Sequence, residues 1–450
     1  MSIFKAYDIR GIYPEQLNEE IVYKIGRAFA DMLKEEVKKE IVNIVVARDM
    51  RISSPQLTEK LIEGVTKQGV NVVDIGLAST PTFYFAVGYL NLDGGMIVSA
   101  SHNPKEYNGV KIVRAKAKPF GAGTGMEELE RRVNQNIFKQ ADKLGQVTRE
   151  TGVLGAEVKH ALKHAAIDKL KLFKIVTDTA NAMGGPYLEA LFANFPCNVI
   201  KMNFDLDGTF PAHQADPFQE KNIIDIKKRV IEEKADLGIA TDGDGDRIFF
   251  IDEKGKLAEP WVIRGLLARI ILKQQPGSKI CYDIRPGMIT HDMIVENGGI
   301  PVVTRVGHSL IKAQAIQERA VFAGESSGHF FMKTDYGFFE VPMIVTLKIL
   351  EELSLADKPF SEILRPLRKY FHSGEINSVV KDKAAVMKKI ENTFSDGRIN
   401  KLDGITIAYP DYWFNVRPSN TEPLLRLNLE AKTKDKMKEM KDKLLKIIRA

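Results

Sequence analysis

One pattern occurs three times along the chain, and it constrains the fold more than any single motif. Each repeat opens with a short apolar strand ending in aspartate, runs through a helix-like stretch to a second strand, and closes with a third strand and a polar loop. The strands are predicted at 44–49, 71–75 and 95–99, at 175–178, 198–202 and 237–240, and at 280–283, 300–305 and 320–323. Alternating strands and helices build parallel sheets, so the repeats predict three similar mixed-sheet α/β domains in tandem.

The polar loops that close the repeats are the second constraint. Their sequences are SHNP at 101–104, DGDGDR at 242–247 and GESSGH at 324–329. Ligands bind outside the carboxyl ends of the strands in open α/β sheets, so three equivalent loops are predicted to line one central cleft. Unrelated solvated turns would have no reason to occupy the same topological position, and the repetition therefore favours a function for each loop.

The domain boundaries follow from changes in sequence character. A polar, glycine-containing stretch at 140–155 separates the first repeat from the second, and a turn at 252–255 ends the second. Beyond Pro366 the sequence resembles antiparallel strands, with helices beginning at Lys383 and Lys434, which predicts a smaller α+β domain at the C-terminal end. The predicted domains are 1–150, 151–254, 255–366 and 367–450.

The composition is that of an ordinary globular chain of 450 residues, 44% of them hydrophobic. The net charge is +6, but the lysines are spread along helices, which favours small anionic ligands over nucleic acid. No apolar run approaches the length of a membrane span and no signal segment is recognisable, so we expect a cytoplasmic protein without a membrane partner. Cys197 and Cys281 lie in strand-like runs and are predicted to be buried thiols. The basic segment 432–449 has apolar residues at helical spacing and is predicted to dock on its own domain.

The loop 242–247 is a candidate metal site. Glycines separate Asp242, Asp244 and Asp246 and permit a tight turn, so the three carboxylates can converge on one hard divalent cation. A calcium EF-hand is an alternative, because Glu253 falls at the last ligand position of that register. Arg247, however, replaces the glycine that an EF-hand requires, and the flanks resemble buried strands. A solvated acidic turn is the other alternative.

Two further loops carry candidate chemistry. Ser101 follows a strand, with His102 beside it and Lys111 downstream, and a hydroxyl needs such a base or cation to become a nucleophile. In isolation a plain turn explains this loop more simply, but a metal loop in the next repeat favours phosphoserine chemistry. The loop 417–423 (RPSNTEP) offers an arginine, hydroxyls and an amide to a phosphate, although a turn explains it equally well.

Taken together, the loops resemble the signatures of one family. SASHNP at 99–104, DGDGDR, GESSGH and RPSNTEP are similar to those of the α-D-phosphohexomutase superfamily, in the expected order, and most similar to its phosphomannomutase/phosphoglucomutase branch. The opening FKAYDIRG at 4–11 is also typical of that branch, and the resemblance covers essentially the whole chain. It implies an isomerase that interconverts hexose 1-phosphate and hexose 6-phosphate through a phosphoserine. A hexose 1,6-bisphosphate would be both intermediate and primer.

The resemblance also implies a role for each matching residue. Phospho-Ser101 is the implied donor, and Mg²⁺ is held by Asp242, Asp244 and Asp246 together with an oxygen of phospho-Ser101. The residues implied at the reacting groups are Ser101, His102, Lys111, Arg10, Arg247 and His329. Lys111, His102 and Arg10 are the implied acid/base candidates, and which of them moves the proton stays open. Those implied to bind substrate are Tyr7, Arg285, His308, Glu325, Ser327, Arg417, Ser419, Asn420 and Thr421.

Two positions bear on specificity. The glucosamine branch usually carries glycine where Asn420 stands, which favours mannose or glucose phosphates over glucosamine phosphate. Arg285 stands where many relatives have lysine, so its contact with substrate stays open. The expected partner is a small phosphosugar, bound by a monomer or dimer without nucleic acid. The alternative functions are a phosphoglucosamine mutase, a sugar phosphatase with Asp242 as nucleophile, and a catalytically silent sugar-phosphate sensor.

Two other patterns are predicted to carry no chemistry. Gly121, Gly123 and Gly125 lack the third glycine of a dinucleotide-binding loop and are predicted to form a flexible surface loop. His160 and His164 have metal-ligand spacing on a probable helix, but without nearby partners they are predicted to lie on a solvated face. His213, His291 and His372 are predicted to be structural.

Overall fold

The computed structural model describes residues 2–138, 141–166, 168, 170–419 and 424–450. The chain divides into two compact units. Unit 1 comprises Met1–Glu259 and Ser327–Ile363, and unit 2 comprises Pro260–Ser326 and Leu364–Ala450. Among the described residues, no helix combines the length and the apolar character needed to cross a membrane.

The first repeat forms a mixed sheet in unit 1. Its strands are β1 (Ile9–Ile12), β2 (Asn43–Arg48), β3 (Asn71–Leu77), β4 (Gly94–Val98), β5 (Tyr107–Arg114), β6 (Lys118–Pro119) and β7 (Val147–Arg149). Its helices are α1 (Glu19–Val37), α2 (Ser54–Lys67), α3 (Thr80–Tyr89) and α4 (Met126–Gln135). The order is β1-β5-β4-β2-β3-β7, with β6 on β5; β2 is parallel to β3 and β4, and β5 is antiparallel to β4. The central strand β2 is apolar on both faces, as helices on both sides of a sheet require.

The second repeat forms a five-stranded sheet, also in unit 1. Its strands are β8 (Phe173–Asp178), β9 (Cys197–Met202), β10 (Leu237–Thr241), β11 (Ile248–Asp252) and β12 (Leu257–Ala258), and its helices are α5 (Val153–Leu162), α6 (Gly184–Phe192) and α7 (Ile224–Glu232). The order is β12-β11-β10-β8-β9, with β8 parallel to β9 and β10. The parallel strands therefore end at one edge, where β10 leads into the aspartate loop.

The third repeat begins in unit 2 with α8 (Pro260–Gln274), β13 (Lys279–Asp283), α9 (Met288–Glu296), β14 (Ile300–Thr304), α10 (His308–Glu318) and β15 (Phe322–Gly324). Strand β13 pairs in parallel with both β14 and β15. The chain then contributes to unit 1 the antiparallel hairpin β16 (Phe330–Thr334) and β17 (Gly337–Glu340), followed by α11 (Pro342–Ala356) and α12 (Phe360–Leu364).

The C-terminal part of unit 2 is an antiparallel sheet covered by helices. Its strands are β18 (Phe371–His372), β19 (Ile376–Val379), β20 (Arg398–Asn400), β21 (Ile405–Ala408), β22 (Tyr412–Pro418) and β23 (Leu424–Ala431). Its helices are α13 (Lys383–Thr393) and α14 (Lys434–Ile448). Met440, Leu444 and Ile448 of α14 are buried in this domain's core, so the predicted docking of the basic C-terminal segment is confirmed.

The predicted fold class is confirmed: three mixed α/β domains stand in tandem before a smaller α+β domain. All nine strands predicted for the repeats are present, shifted by at most a few residues at their ends. The arrangement of the loops around one cleft stays a prediction.

Two predictions about single side chains were wrong. His160 is buried, not solvated, because α5 presents it to Phe85 and Tyr336 in an aromatic cluster, and His164 packs edge-on against it. Burial lowers the pKa of both imidazoles, that of His164 to about 4. Cys197 is only half-buried because it opens the edge strand β9, whereas Cys281 is buried as predicted, and both thiols are free.

A buried acid beside these histidines couples stability to pH. Glu157 lies one turn before His160 on α5 and is 6% exposed. Burial near Phe85 and Phe339 raises the pKa of Glu157 to about 8, and the Thr82 hydroxyl offsets this only in part. The folded state therefore holds this proton more tightly than the unfolded state, whose pKa is near 4.5. The resulting stability is fully present below the unfolded pKa and is lost as the pH rises through about 8.

Glu157→Gln is expected to stabilise the protein because glutamine stays neutral at every pH. The gain should grow as the pH rises from about 5 to about 8 and reach the order of 3 kcal/mol near pH 7. Thermal unfolding midpoints over this pH range measure it, with the exposed Glu59→Gln as the matched control. A difference between wild type and Glu157→Gln that does not vary with pH would contradict the burial argument.

Candidate active site

The aspartate loop forms the centre of the site in unit 1. It joins the antiparallel strands β10 and β11, with Gly245 in the left-handed region at φ +72°. Asp242, Asp244 and Asp246 are buried, and one carboxylate oxygen of each lies within 4.8 Å of the others. The strand flanks exclude the EF-hand alternative, and Glu253 instead accepts hydrogen bonds from the backbone N–H and hydroxyl of Ser361.

The serine loop meets the aspartate loop directly. A Cβ at Gly243 would lie 2.3 Å from the carbonyl oxygen of Ser101, so only glycine permits this approach. Ser101 is buried and adopts φ +51°, an unusual conformation for a residue with a side chain. Its hydroxyl donates to Asp242 Oδ2 at 3.1 Å and lies 3.0 Å from His102 Nδ1. The strained backbone thus aims the hydroxyl at the carboxylates.

One lysine compensates part of the negative charge. Lys111, on β5, places its ammonium 2.5 Å from Asp244 Oδ2 and 2.7 Å from Asp246 Oδ2. Burial alone would raise the pKa of Asp246, but Lys111 and His329 outweigh it and hold that pKa well below its usual range. Burial, followed by the charges of Asp246 and Asp244, raises the pKa of Asp242 well above its usual range. The cluster therefore holds three carboxylates against one lysine ammonium, and Lys111 contacts only two of them.

These residues fit a divalent cation. Asp244 Oδ1 is buried and has no hydrogen-bond partner among the described residues, although Oδ2 accepts from both Lys111 and Thr80. Carboxylate oxygens are the ligands that Mg²⁺ prefers, and an added positive charge would favour the ionised form of Asp242. The orphaned oxygen and the crowded carboxylates both point to a cation among the three aspartates.

The segment 327–329 adds a histidine to this site, and the last residue of the aspartate loop adds an arginine. His329 Nε2 lies 3.1 Å from Asp246 Oδ1, and its Nδ1 lies 3.0 Å from the Ser327 hydroxyl. Arg247 pairs with His329 through an isolated backbone bridge and places Nε 3.7 Å from Asp242 Oδ2. The structure thus brings Arg247 and His329 to the aspartate cluster, and Ser327 contacts His329.

The N-terminal motif reaches the serine loop. Arg10, on β1, donates from Nη1 to Asn103 Oδ1 at 2.5 Å and from Nε to Asp8 Oδ2 at 2.8 Å. Tyr7 precedes this strand and is half-buried. Burial, then the charges of Arg247 and Arg10, lowers the pKa of His102 well below its usual range. His102 is therefore neutral at physiological pH.

The remaining predicted substrate residues lie in unit 2. Arg285 donates from Nε to Asp283 Oδ2 at 2.5 Å, with Nη2 3.6 Å from Glu325 Oε1. Glu325 Oε1 accepts from the backbone N–H of Gly307, which directly precedes His308 at the start of α10. The structure thus brings Arg285, Glu325 and the Gly-His-Ser turn to the carboxyl ends of β13 and β15.

The phosphate-loop residues belong to the C-terminal sheet. Arg417, on β22, donates from Nη2 to Glu375 Oε2 at 2.8 Å. The carbonyl oxygen of Ser419 accepts from the Lys383 ammonium at 3.1 Å. Asn420 and Thr421 lie outside the described residues.

Sequence reasoning missed a buried arginine that holds the serine loop. Arg51 follows β2 and is 1% exposed. Its guanidinium donates to four backbone carbonyls of the loop, at 2.6–2.9 Å, those of Ser101, Asn103, Pro104 and Tyr107. An arginine after a strand-end aspartate is an ordinary pattern, so only the folded chain reveals this clamp.

A second missed element is the segment that braces both loops. Gln214 donates from Nε2 to the carbonyl oxygen of His102 at 3.0 Å, and the carbonyl of Ala215 accepts from the Gly243 N–H. Asp216 lies 3.7 Å from Arg247. His213, predicted to be structural, contacts Asp178 at 3.0 Å and anchors this segment to β8. The polar segment 213–216 carries no motif that identifies it in a single sequence.

Arg51→Lys is expected to slow the phosphoryl transfer that the family resemblance implies at Ser101 by about a hundredfold, because one ammonium cannot hold four carbonyls and the Ser101 hydroxyl would be displaced. The rate of Ser101 phosphorylation in a single turnover measures the effect. Arg114→Lys, which alters a surface ion pair with Glu36, is the matched control and should keep the wild-type rate. A normal phosphorylation rate in a destabilised Arg51→Lys variant would show that the arginine only supports folding.

Models of four domain families match the chain in sequence order. They are described as phosphoglucomutase/phosphomannomutase alpha/beta/alpha domains I, II and III and the C-terminal domain, and they match residues 1–140, 156–255, 262–370 and 375–447. The four domains and the serine–carboxylate site define an enzyme of the isomerase class, an intramolecular phosphotransferase.

Whole-chain relatives agree with the domain matches. A phosphomannomutase of Vibrio cholerae is 38% identical over 441 residues, covering 96% of this chain and 95% of the relative. A phosphomannomutase of Methanocaldococcus jannaschii is 37% identical over 451 residues, covering 100% and 98%. The crystal structure of a phosphoglucomutase/phosphomannomutase family protein from Burkholderia thailandensis has a TM-score of 0.90 at 31% identity, covering 99% of this chain and 97% of that one. The chain belongs to the phosphoglucomutase/phosphomannomutase family.

Proposed function

We propose that the protein reversibly interconverts hexose 1-phosphate and hexose 6-phosphate, with mannose and glucose phosphates as its substrates. The observation that carries the proposal is the Ser101 hydroxyl, 3.1 Å from a carboxylate of the three-aspartate cluster. A buried hydroxyl beside a cation site is suited to carry a phosphoryl group, because the cation neutralises charge that would repel an incoming hydroxyl.

Phospho-Ser101 would transfer its phosphoryl group to a sugar hydroxyl. The sugar oxygen forms a bond to phosphorus while the bond from phosphorus to the Ser101 oxygen breaks, and a hexose 1,6-bisphosphate results. After reorientation of this bisphosphate the other phosphoryl group returns to Ser101, and the same compound primes unphosphorylated enzyme. Mg²⁺ held by Asp242, Asp244, Asp246 and a phosphoserine oxygen would supply charge neutralisation during both transfers.

The proton must move between the sugar hydroxyl and the serine oxygen. Of the three candidates, Lys111 and Arg10 carry positive charge, and the pKa of Lys111 is raised well above its usual range because Asp244 and Asp246 outweigh its burial. His102 is neutral and lies 3.0 Å from the Ser101 oxygen, which supports it as the group that accepts the proton and returns it. Lys111, Arg10 and Arg247 would then stabilise the negative charge of the phosphoryl group, and His329 would hold Asp246.

The residues of the sugar and phosphate loops would bind the substrate. Glu325 and Ser327 supply an acceptor and a hydroxyl suited to sugar hydroxyl groups, and Arg417 and Ser419 supply donors suited to the phosphate that does not react. Asn420 and Thr421 would extend this phosphate site. Tyr7, Arg285 and His308 would complete the substrate contacts. We further propose the boundaries 1–150, 151–254, 255–366 and 367–450 for the four domains, and a monomer or dimer in the cytoplasm.

The names of the relatives support the choice of sugar. They include phosphomannomutases and a protein of Xanthomonas campestris named for phosphohexose mutases, 36% identical over 432 residues. A coupled assay with mannose 1-phosphate, glucose 1-phosphate and glucosamine 1-phosphate tests the proposal. We expect magnesium-dependent turnover of the first two, with the third weakest. Dominant turnover of glucosamine 1-phosphate would identify the protein as a phosphoglucosamine mutase.

The same preparation separates the mutase from a phosphatase or a sensor. Peptide mass spectrometry after treatment with glucose 1,6-bisphosphate is expected to find acid-stable phosphate on Ser101. Release of free sugar, with phosphate on Asp242, would indicate the aspartate-nucleophile phosphatase. Binding without turnover or phosphorylation would indicate the sensor.

A further inference from the structure

A cavity in unit 2 shares Arg285 with the proposed substrate contacts but is lined by none of the proposed reacting groups. Its volume is about 780 Å³, in the range of small-molecule sites. One wall is the carboxyl end of β13 and the first turns of α9, including Tyr282, Met288 and His291. The other wall is the C-terminal sheet, where β20, β21 and β22 lie side by side.

The strand register places a cation, a small residue and an indole in one row on that sheet. Arg398 pairs with Ala408, and Ala408 pairs with Trp413. Neighbouring positions on the strands point the opposite way, and Ile407 and Phe414 belong to the hydrophobic core on that other face. The row therefore faces the cavity, with Ala408 leaving a shallow space between Arg398 and Trp413.

The indole of Trp413 is fixed in place. Its Nε1–H donates to Glu430 Oε2 at 2.9 Å, and the same carboxylate oxygen accepts from the backbone N–H groups of Gly287 and Met288. Glu430 thus already accepts hydrogen bonds from the backbone N–H groups at the start of α9. These groups are therefore not available to bind an anion. Trp413 instead contributes a preoriented, half-buried aromatic surface to the cavity.

Among the described basic side chains that line this cavity, Arg398 is the one available to bind an anion. Lys401 Nζ is held by Glu391 Oε1 at 2.6 Å, and Arg285 is held by Asp283. Within the part of the chain that the structure describes, the exposed Arg398 guanidinium has neither a hydrogen bond nor an ion pair. Its five donors suit phosphate oxygens.

We propose that this cavity binds a nucleoside diphosphate, whose base stacks on Trp413 above Ala408 while its phosphates pair with Arg398. A planar base matches an aromatic surface beside a small residue, because aromatic rings stack face to face with an offset. A simple phosphosugar could pair its phosphate with Arg398, but it has no aromatic ring to stack on Trp413. The site therefore selects a ligand class different from the substrate, at residues distinct from the serine and aspartate loops.

The two tryptophans of the chain, Trp261 and Trp413, make the test direct. In a Trp261→Phe background, the fluorescence of Trp413 is titrated with GDP, ADP and UDP, corrected against free N-acetyltryptophanamide. EDTA is present so that no metal at the aspartate cluster recruits the nucleotide. We expect saturable quenching by at least one nucleotide, and no change in basal mutase turnover when Arg398 is replaced.

Arg398→Ala is expected to weaken nucleotide binding by about tenfold or more, since a charge-assisted contact to phosphate is lost. Lys401→Ala removes the same charge from a side chain already paired with Glu391 and should change binding by less than about twofold. Ala408→Leu fills the space beside the indole and should abolish quenching. Unfolding midpoints confirm that each variant is folded.

Three results would overturn the proposal. One is the absence of saturable quenching with all three nucleotides at millimolar concentration. Another is equal weakening by Arg398→Ala and Lys401→Ala, which would indicate attraction by net charge alone. The third is full relief of quenching by glucose 6-phosphate, which would place the nucleotide in the phosphosugar site.

Discussion

Ser101→Ala is expected to lower mutase turnover by at least about a thousandfold, because alanine has no oxygen to carry the phosphoryl group between the two positions of the sugar. The change removes a buried hydroxyl that bonds Asp242, but leaves the backbone and the Arg51 clamp in place. Folding should therefore persist. A coupled assay measures turnover, and intact-protein mass spectrometry should show that phosphate no longer adds to the variant in the presence of glucose 1,6-bisphosphate.

A matched serine control separates this role from a general loss of packing. Ser354 lies on α11, where its hydroxyl bonds the carbonyl of Leu350, and Ser354→Ala should keep both turnover and phosphorylation. Wild-type turnover in Ser101→Ala would exclude the phosphoserine mechanism. If phosphate is added to another residue of the Ser101→Ala variant, that residue and not Ser101 would be the phosphoryl acceptor.

Asp242→Asn should abolish magnesium-dependent turnover and yet stabilise the metal-free protein. Asparagine is close to the same shape and can still accept the backbone N–H of Arg247, but it removes one of three buried carboxylates that repel each other. Loss of a charged ligand weakens cation binding, and turnover should fall by at least about a hundredfold. Thermal unfolding in EDTA should show a higher midpoint for the variant, and magnesium should raise the midpoint of the wild type only.

The exposed Asp225→Asn on α7 removes the same charge from a carboxylate outside the aspartate cluster and controls for net charge. It should change neither turnover nor the response to magnesium. If Asp242→Asn were less stable than wild type in EDTA, the metal-free carboxylates would not be mutually repulsive. An unchanged response to magnesium would place the cation elsewhere.

Much of the site could be predicted because the strand-end loops are local in sequence. The spacing of Asp242, Asp244 and Asp246 implies convergence within one turn, and the equivalent position of Ser101 in the preceding repeat predicts that the two loops meet. Such local patterns predict structure well because a turn of a few residues can adopt only a few backbone conformations. The short apolar strands that precede these loops were found for the same reason.

What could not be predicted depends on partners distant in sequence. Arg51 holds a loop about fifty residues away, and His160 is buried because Tyr336 of another repeat packs on it. The sequence of a helix does not show whether one of its faces is solvated or buried when the aromatic residue that covers that face is distant in sequence. The pairing of Lys111 with two aspartates, which sets the charge of the cluster, is likewise a property of the folded chain.

The aspartates that end the first strand of each repeat have a consequence for how the repeats could diverge. Asp49 accepts from the Arg51 N–H, Asp178 from the Ala180 N–H, and Asp283 from the Ser326 N–H. Each of these aspartates fixes the backbone of a neighbouring loop by a hydrogen bond. None of them belongs to the cluster of candidate metal ligands. Because these bonds fix the framework, the adjacent loops can differ in sequence and carry separate chemistry. An acidic residue at the end of the first strand of a repeat therefore indicates a structural role. The candidate reactive groups lie in the loop that follows the third strand.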